Sequence, residues 1–487
     1  MNQHFQLPAY LKIAVEKMLS YLKESNEGKD KVLQQRPAQD LAKELQLNYW
    51  IKNGGISPTD FSKIMDVYLE NTQHMHHPRY IGHQVSVPHP MAGVSGLING
   101  ISNNPMGIYE MGPAAATMER TVINWLLDKV GWFKGAHWSD FSWIEGNGGG
   151  VLTNGGSMAN LTALSAARSA IAPKAWDEGS PKDLVVLVPA VAHYSIARAI
   201  SIMGMGKNSV IPVDVDSNER LRPEALLPVY EQVKSAGKRV MAIVANACAT
   251  STGLYDPLDE VGHFCETNNL WYHVDGAHGA AALVSPEESG LMKGINRANS
   301  MIWDAHKMLQ VNALCAAILY KDQQHMGAAF QQKGAYLFHE KEQPGFDLMP
   351  YTVECTKSGL GAKLFWTLAA EGEKGMGEFV HLQYQKTKEF HQVFSTHPDF
   401  YCPYFPESNI LCFAYTKYGE DNDLQLAIRN EVTKRGHFYI SSTEVHGRRY
   451  LRLTVMNKLT TNAHIEALIQ EIILVGKIIT TPHPTFS

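Results

Sequence analysis

The chain has 487 residues, 45% hydrophobic and 19% charged, enough for a large buried core and too many for one small domain. Its 43 basic and 48 acidic side chains leave a formal net charge of −5 with no basic run, which argues against a nucleic-acid partner. No apolar run approaches the roughly 20 residues that span a bilayer. The opening stretch, MNQHFQLPAYLKIAVEKML, lacks the apolar centre of a secretory signal, so a cytoplasmic protein with no membrane partner is expected.

From about residue 8 to 72, apolar residues such as Leu11, Val15, Met18, Leu19 and Leu22 recur near helical spacing and predict helices. The His-, Pro- and Gly-rich stretch from Asn71 to Asn104 predicts loop. Its histidines (His74, His76, His77, His83 and His89) have loop-like spacing and no accompanying carboxylate set, so no metal site is expected. Ala114 to Val130 predicts an amphipathic helix.

Short apolar runs then alternate with helical segments. The runs are Leu184–Pro189, Val240–Ala245, Leu270–Val274, Ser300–Trp303 and Leu314–Tyr320; the helices include Ser195–Met203 and Pro223–Ser235. Strands buried on both faces and separated by helices predict an α/β domain with a mainly parallel sheet. Ligands of such sheets bind beyond the carboxyl ends of strands, which directs attention to His193, Thr250, Asp275 and Lys307. After about Gly372 the pattern changes to short strands and helices: Ile410–Tyr415, Phe438–Ser441, Arg449–Val455 and a last helix from about Asn462 to Ile479. The expected organisation is a helical N-terminal segment (1–85), a large α/β domain (86–375) and a small α+β C-terminal domain (376–487). The six cysteines form no C-x-x-C pair, which favours free thiols over a zinc site, redox motif or disulfide framework.

Several segments carry chemistry. Gly148 to Asn160 is rich in glycine and precedes a good helix. Backbone amides there can approach an anion closely, the helix adds the positive end of its dipole, and Ser157 adds a hydroxyl. Alone, this segment reads equally as a plain Gly-rich turn. Asn160-Leu-Thr162 matches a glycosylation sequon by chance. Asp275 ends an apolar run and is followed by small residues. Such a carboxylate can pair with a protonated pyridine nitrogen, with Ala277 small enough to lie against a flat ring, or it can cap the next helix. Lys307 follows another apolar run, where a lysine is either used chemically or snorkels to solvent. His193, after a third run, could stack on a ring or be a satisfied structural histidine.

Taken in order, the motifs HPRYIGHQ, TNGGSMAN, AHYSIARA, HVDGAHGA, DAHKM and YLRLTVMN resemble those of the group II pyridoxal-phosphate-dependent amino-acid decarboxylases, from about His77 to the C-terminus. The resemblance implies the fold type I architecture, pyridoxal 5'-phosphate as cofactor and a homodimer with active sites at the subunit interface. It makes Lys307 the Schiff-base lysine, Asp275 the partner of the pyridine nitrogen, and His193 the ring-stacking histidine with a part in protonation. It assigns Gly156 and Ser157 to the phosphate with help from His306, Thr250 to the ring, and Arg452 to the substrate α-carboxylate. The segment Tyr80–Gln84, with His83, is implied on the substrate side.

Two departures stand out. The family carries a mobile-loop tyrosine assigned as proton donor to Cα, whereas here Phe346 aligns nearest to it. Tyr351, or less directly Tyr336, could supply the hydroxyl instead. Asp304 replaces an asparagine that many relatives have beside the phosphate. The expected reaction is α-decarboxylation of a small polar amino acid: glutamate, aspartate, cysteine sulfinate or 2,4-diaminobutyrate, acidic ahead of basic. A decarboxylating aldehyde synthase, an aminotransferase or a β-lyase on the same fold is the alternative.

Overall fold

The computed structural model describes residues 6–330 and 345–481; Tyr336 lies outside them. The chain divides into two compact units, one comprising Gln84–Gln385 with Pro406–Asn409, the other Met1–His83, Lys386–Phe405 and Ile410–Ser487.

The larger unit is built on a seven-stranded sheet. In chain order its strands are β1 (Gly149–Thr153), β2 (Leu184–Pro189), β3 (Val210–Val213), β4 (Arg239–Asn246), β5 (Trp271–Asp275), β6 (Ser300–Asp304) and β7 (Ala316–Tyr320). They lie in the order β1-β7-β6-β5-β4-β2-β3. β7 runs antiparallel to both of its neighbours and the other pairings are parallel. Every residue of β2, β5 and β6 is buried, which explains their continuous apolar character. The mainly parallel, helix-flanked sheet is the fold type I architecture the sequence led us to expect. β4, β5 and β6 end side by side: Asn246 pairs with Asp275, Asp275 pairs with Ile302, and β6 runs on to Asp304. Polar side chains are thus delivered to one edge of an apolar sheet.

Three local expectations need correction. The loop predicted from Asn71 to Asn104 contains a helix, Pro90–Ser102. Pro90 occupies its first turn and His89 Nδ1 accepts the Met91 N–H at 3.2 Å, supplying the start signal. Gly93, Gly96 and Gly100, each disfavoured by about 1 kcal/mol in a helix, disguise it in the sequence. Part of the Gly-rich segment is a strand, β1. A Cβ on Gly150 would come within 2.4 Å of the Ile318 carbonyl on β7, so the glycine permits close strand approach. The run Phe438–Ser441 is mostly not strand; the strand begins at Ser441.

The second unit holds a four-stranded antiparallel sheet. Its strands are β8 (Phe400–Tyr401), β9 (Ile410–Tyr415), β10 (Ser441–Val445) and β11 (Arg448–Thr454), arranged β10-β11-β9-β8. The helices Asn422–Arg435 and Asn462–Thr480 share its core, in which the rings of Phe394 and Phe413 stack at 3.9 Å. No helix among the described residues is long and apolar enough to cross a membrane.

Candidate active site

A cavity of about 320 Å³ opens at the strand-end edge of the large sheet. That is within the size range of small-ligand sites. Lys307, Asp275, Asp304 and His193 all line it. So do Gly156, Ser157, Thr250, Ala277 and His306, so every residue the sequence assigned to the cofactor meets here.

The helix Gly156–Ile171 begins at one end of the cavity. Gly155 precedes it with φ +99°, a conformation that L side chains rarely adopt. A Cβ on Gly156 would lie 2.8 Å from Asp304 Oδ1, so a side chain there would collide with the Asp304 carboxylate. The result is an open cradle of backbone N–H groups at a helix N-terminus, with the exposed Ser157 beside it.

Asp275, which also lines the cavity, receives two N–H donors: Asn160 Nδ2 to Oδ2 at 3.0 Å and the Ala277 amide to Oδ1 at 3.2 Å. The same Asn160 amide donates to Ser195 Oγ at 2.9 Å, and Ser195 Oγ lies 2.7 Å from His193 Nδ1. His193 caps the helix Tyr194–Ile202, with Nδ1 also facing the Ser195 amide at 3.3 Å. Burial is the main cause that pulls the His193 pKa below the ordinary histidine value; Asp275 opposes it and Lys307 reinforces it. His193 is therefore a neutral imidazole at neutral pH.

Lys307 Nζ lies 3.3 Å from Asp304 Oδ2, and His306 Nε2 lies 3.6 Å from the same oxygen. His306 Nδ1 sits 2.8 Å from the Cys315 carbonyl and 3.3 Å from the Cys315 N–H, which donates to it when Nε2 carries the ring proton. Asp304 is 3% exposed, and its Oδ1 has no hydrogen-bond partner among the described residues. Thr250 projects from the connection after β4. That connection is pinned where Asp256 Oδ2 accepts the Asn246 N–H at 2.6 Å and the Ala249 N–H reaches the Leu254 carbonyl at 2.9 Å. Burial pushes the Asp256 carboxyl up to about 7, against the two backbone N–H groups that favour its charged form.

These features fit pyridoxal phosphate. One cavity holds an anion cradle at a helix N-terminus, a lysine amine and a carboxylate held by two donors. Gly156, Ser157 and His306 would hold the phosphate, Lys307 the aldehyde carbon, and Asp275 the ring nitrogen.

The remaining expected residues lie elsewhere. Tyr351 sits in the short turn Met349–Tyr351, partly buried and not among the residues lining the cavity. Phe346 packs into an aromatic cluster, its ring 5.6 Å from both Tyr109 and Phe141, with the Arg120 guanidinium 6.0 Å from its centre. His83 and Arg452 belong to the other unit. There, the His83 ring is 5.3 Å from Tyr439, and Arg452, on β11, is buried and donates from Nη1 to Ser441 Oγ at 3.2 Å. Sequence reasoning missed Ser195 and the structural part of Asn160. Asn160 is 1% exposed and bonded on both sides of its amide. The available signal was a polar residue on the buried face of a helix otherwise rich in alanine.

Fold and site together define a class: an enzyme of fold type I built to use pyridoxal phosphate. Residues 59–416 match the pyridoxal-dependent decarboxylase conserved domain, and the chain belongs to that family. It is a pyridoxal-phosphate-dependent amino-acid decarboxylase. It is similar to the human acidic amino acid decarboxylase GADL1, 26% identical over 467 residues that cover 92% of this chain and 87% of the relative. It is 27% identical to mouse cysteine sulfinic acid decarboxylase over 420 residues, covering 82% of each chain. The crystal structure of mouse CSAD superposes with a TM-score of 0.88 at 23% identity, covering 97% of this chain and 99% of that one, a likeness of fold.

Proposed function

We propose that the protein removes the α-carboxyl group of a short acidic amino acid as carbon dioxide and releases the primary amine. The observation that carries the site assignment is the pairing of Lys307, just beyond β6, with Asp275, at the end of the adjacent β5, in one cavity beside a helix N-terminus. The acidic substrate class rests on the relatives named for acidic amino acids and cysteine sulfinate.

When bound, pyridoxal phosphate supplies an electron sink for the pair left at Cα as the carboxyl group departs. Lys307 Nζ would hold the cofactor covalently, as the amine nucleophile of the cavity. Asp275 keeps the proton on the ring nitrogen, and the Asn160 and Ala277 donors keep Asp275 in place. His193, neutral and with its Nδ1 occupied by Ser195, presents its flat ring to the cavity. Ala277 and Thr250 line the cavity and, on the family resemblance, would contact the cofactor ring. On the family resemblance His306 would help to hold the phosphate; its Nδ1 lies between the Cys315 carbonyl at 2.8 Å and the Cys315 N–H at 3.3 Å, and the tautomer that accepts from the N–H leaves an Nε2–H to donate to the anion. On the family resemblance, Arg452 grips the substrate α-carboxylate and His83 belongs to the substrate side.

We also propose a homodimer. On the helix Pro90–Ser102, Val94, Leu97, Ile98 and Ile101 are all exposed, an apolar face that a second copy would cover. In a dimer with interface sites, a residue outside one chain's cavity can serve its partner's, and Tyr351 is kept as the proton donor to Cα on that footing. All six cysteines are free thiols, which supports a cytoplasmic location.

A panel of glutamate, aspartate, cysteine sulfinate, 2,4-diaminobutyrate and aromatic amino acids, assayed for carbon dioxide and amine, tests this reading. One amine per carbon dioxide from an acidic substrate is expected. Aldehyde with hydrogen peroxide, or turnover of aromatic substrates alone, would overturn it.

A further inference from the structure

We infer that Asn160 is a positioning residue for the reaction: one carboxamide fixes the Asp275 carboxylate and, through Ser195, sets the tautomer of His193. The inference rests on the roles proposed above for Asp275 and His193.

The argument is one of proton accounting along a buried chain. Trp271 Nε1–H donates to Ser300 Oγ at 2.9 Å. An indole nitrogen can only donate, so the Ser300 hydroxyl proton is free to go to His273 Nδ1, 2.9 Å away. His273 is fully buried, and that burial lowers its pKa to about 4, so it is neutral with one ring proton, on Nε2. Nε2 lies 2.9 Å from Asn160 Oδ1, which accepts that proton. The opposite amide orientation would set the Asn160 oxygen against Asp275 Oδ2 at 3.0 Å, where two acceptors repel. Both ends therefore fix the same orientation, and the two Nδ2 protons go to Asp275 Oδ2 and Ser195 Oγ. The Ser195 backbone N–H donates to His193 Nδ1 at 3.3 Å, which makes Nδ1 the acceptor; Ser195 Oγ, accepting from Asn160, gives its own proton to the same nitrogen at 2.7 Å and leaves the His193 ring proton on Nε2.

Each partner has a reason to be there. Asn160, Ser195, His273 and Ser300 are each at most 2% exposed, so every polar group in the chain must be paired inside the protein. An aspartate at position 160 would keep an acceptor for His273 and lose the donors. A leucine would lose both. Of the common side chains of this length, asparagine offers one acceptor and two donors in one plane.

The test uses the full chain, stripped of cofactor, as the unsubstituted protein, Asn160→Ala and Asn160→Asp. Each is titrated with pyridoxal 5'-phosphate, and with its N-methylated analogue, whose ring nitrogen carries a fixed positive charge. The readouts are the dissociation constant and the pH dependence of the bound cofactor's visible absorption. Loss of a hydrogen bond to a charged group is expected to weaken binding of the natural cofactor about 10- to 100-fold and to shift the absorption titration. Most of the difference between substituted and unsubstituted chains should disappear with the N-methylated analogue, because the ring charge no longer depends on Asp275. Asn160→Asp keeps the side-chain volume and carries the test if Asn160→Ala does not fold. Unchanged affinity and absorption titration would overturn the inference. So would an equal loss with both cofactors, which is the mark of general packing damage. An Asp275→Asn chain separates the two levels: if it binds the natural cofactor with the affinity and absorption titration of the unsubstituted chain, the proposed role of Asp275 fails, and the inference with it; if it loses both while the Asn160 variants keep them, the inference alone fails.

Discussion

Asp275 and Asp304 end adjacent parallel strands and line the same cavity, yet their surroundings are opposite. Asp275 is held by N–H donors on both oxygens, the Ala277 backbone amide on one and, on the other, the Asn160 carboxamide, whose orientation is itself supported by a buried histidine. Asp304 has nitrogen partners on one oxygen only, Lys307 Nζ at 3.3 Å and His306 Nε2 at 3.6 Å, and its other oxygen faces the cradle glycine. The same residue type two strand positions apart thus does different work. At the ring end the carboxylate is a preorganised acceptor. Asp304 pairs with Lys307 instead, and under the proposed assignment it would stand beside the phosphate when the cofactor enters.

Breaking the ring end should have the larger effect. Asp275→Asn keeps the shape and removes the charge that holds a proton on the ring nitrogen. The expected loss in kcat is about 100- to 1,000-fold, comparable to removing one preorganised electrostatic group from other active sites. Steady-state rates with carbon dioxide detection check it, and a loss below about tenfold would dissolve the contrast between the two carboxylates.

The pH profile sharpens the ring end further. Burial lowers the His193 pKa, so the neutral form persists below the ordinary histidine value of about 6.5. As pH falls through the depressed value, Nδ1 gains a proton and can no longer accept from Ser195. The acid limb of kcat/KM is therefore expected below about pH 6.5, falling about tenfold per pH unit. Replacing His193 with phenylalanine should remove that limb, whereas a limb centred above pH 6.5 would contradict the neutral assignment.

The phosphate end should give the smallest effect, with the opposite sign. Asp304→Asn removes a negative charge beside the cradle and is expected to tighten cofactor binding about fivefold, the size of a charge effect at a helix terminus. A fluorescence titration of cofactor-free protein measures it. Weaker binding would mean that the Lys307 pairing outweighs the repulsion.

The sequence made the strand ends legible because apolar runs stop where the sheet stops. Leu184–Pro189 and Ile410–Tyr415 match the structure residue for residue. Asp275, His193 and Lys307 were visible for the same reason. β1 and the helix Pro90–Ser102 were hidden by glycines that serve close packing or interrupt helix propensity. Asn160 was hidden because its partners are 113 and 115 residues away in the chain, at His273 and Asp275. A hydrogen bond between a helix and a distant strand leaves no local pattern, and the residue's one local motif, a glycosylation sequon, pointed away from its role. Phe346 raised a question about the reaction that its aromatic surroundings place in a different light. It packs against Tyr109 and Phe141 and is not among the residues lining the cavity.

The central claim is that Lys307 holds the cofactor. Borohydride reduction of the protein loaded with pyridoxal phosphate, followed by proteolysis and mass mapping, tests it directly. One pyridoxyl group per chain on Lys307 is the predicted result; a label on another lysine, or none at stoichiometric cofactor, would contradict it.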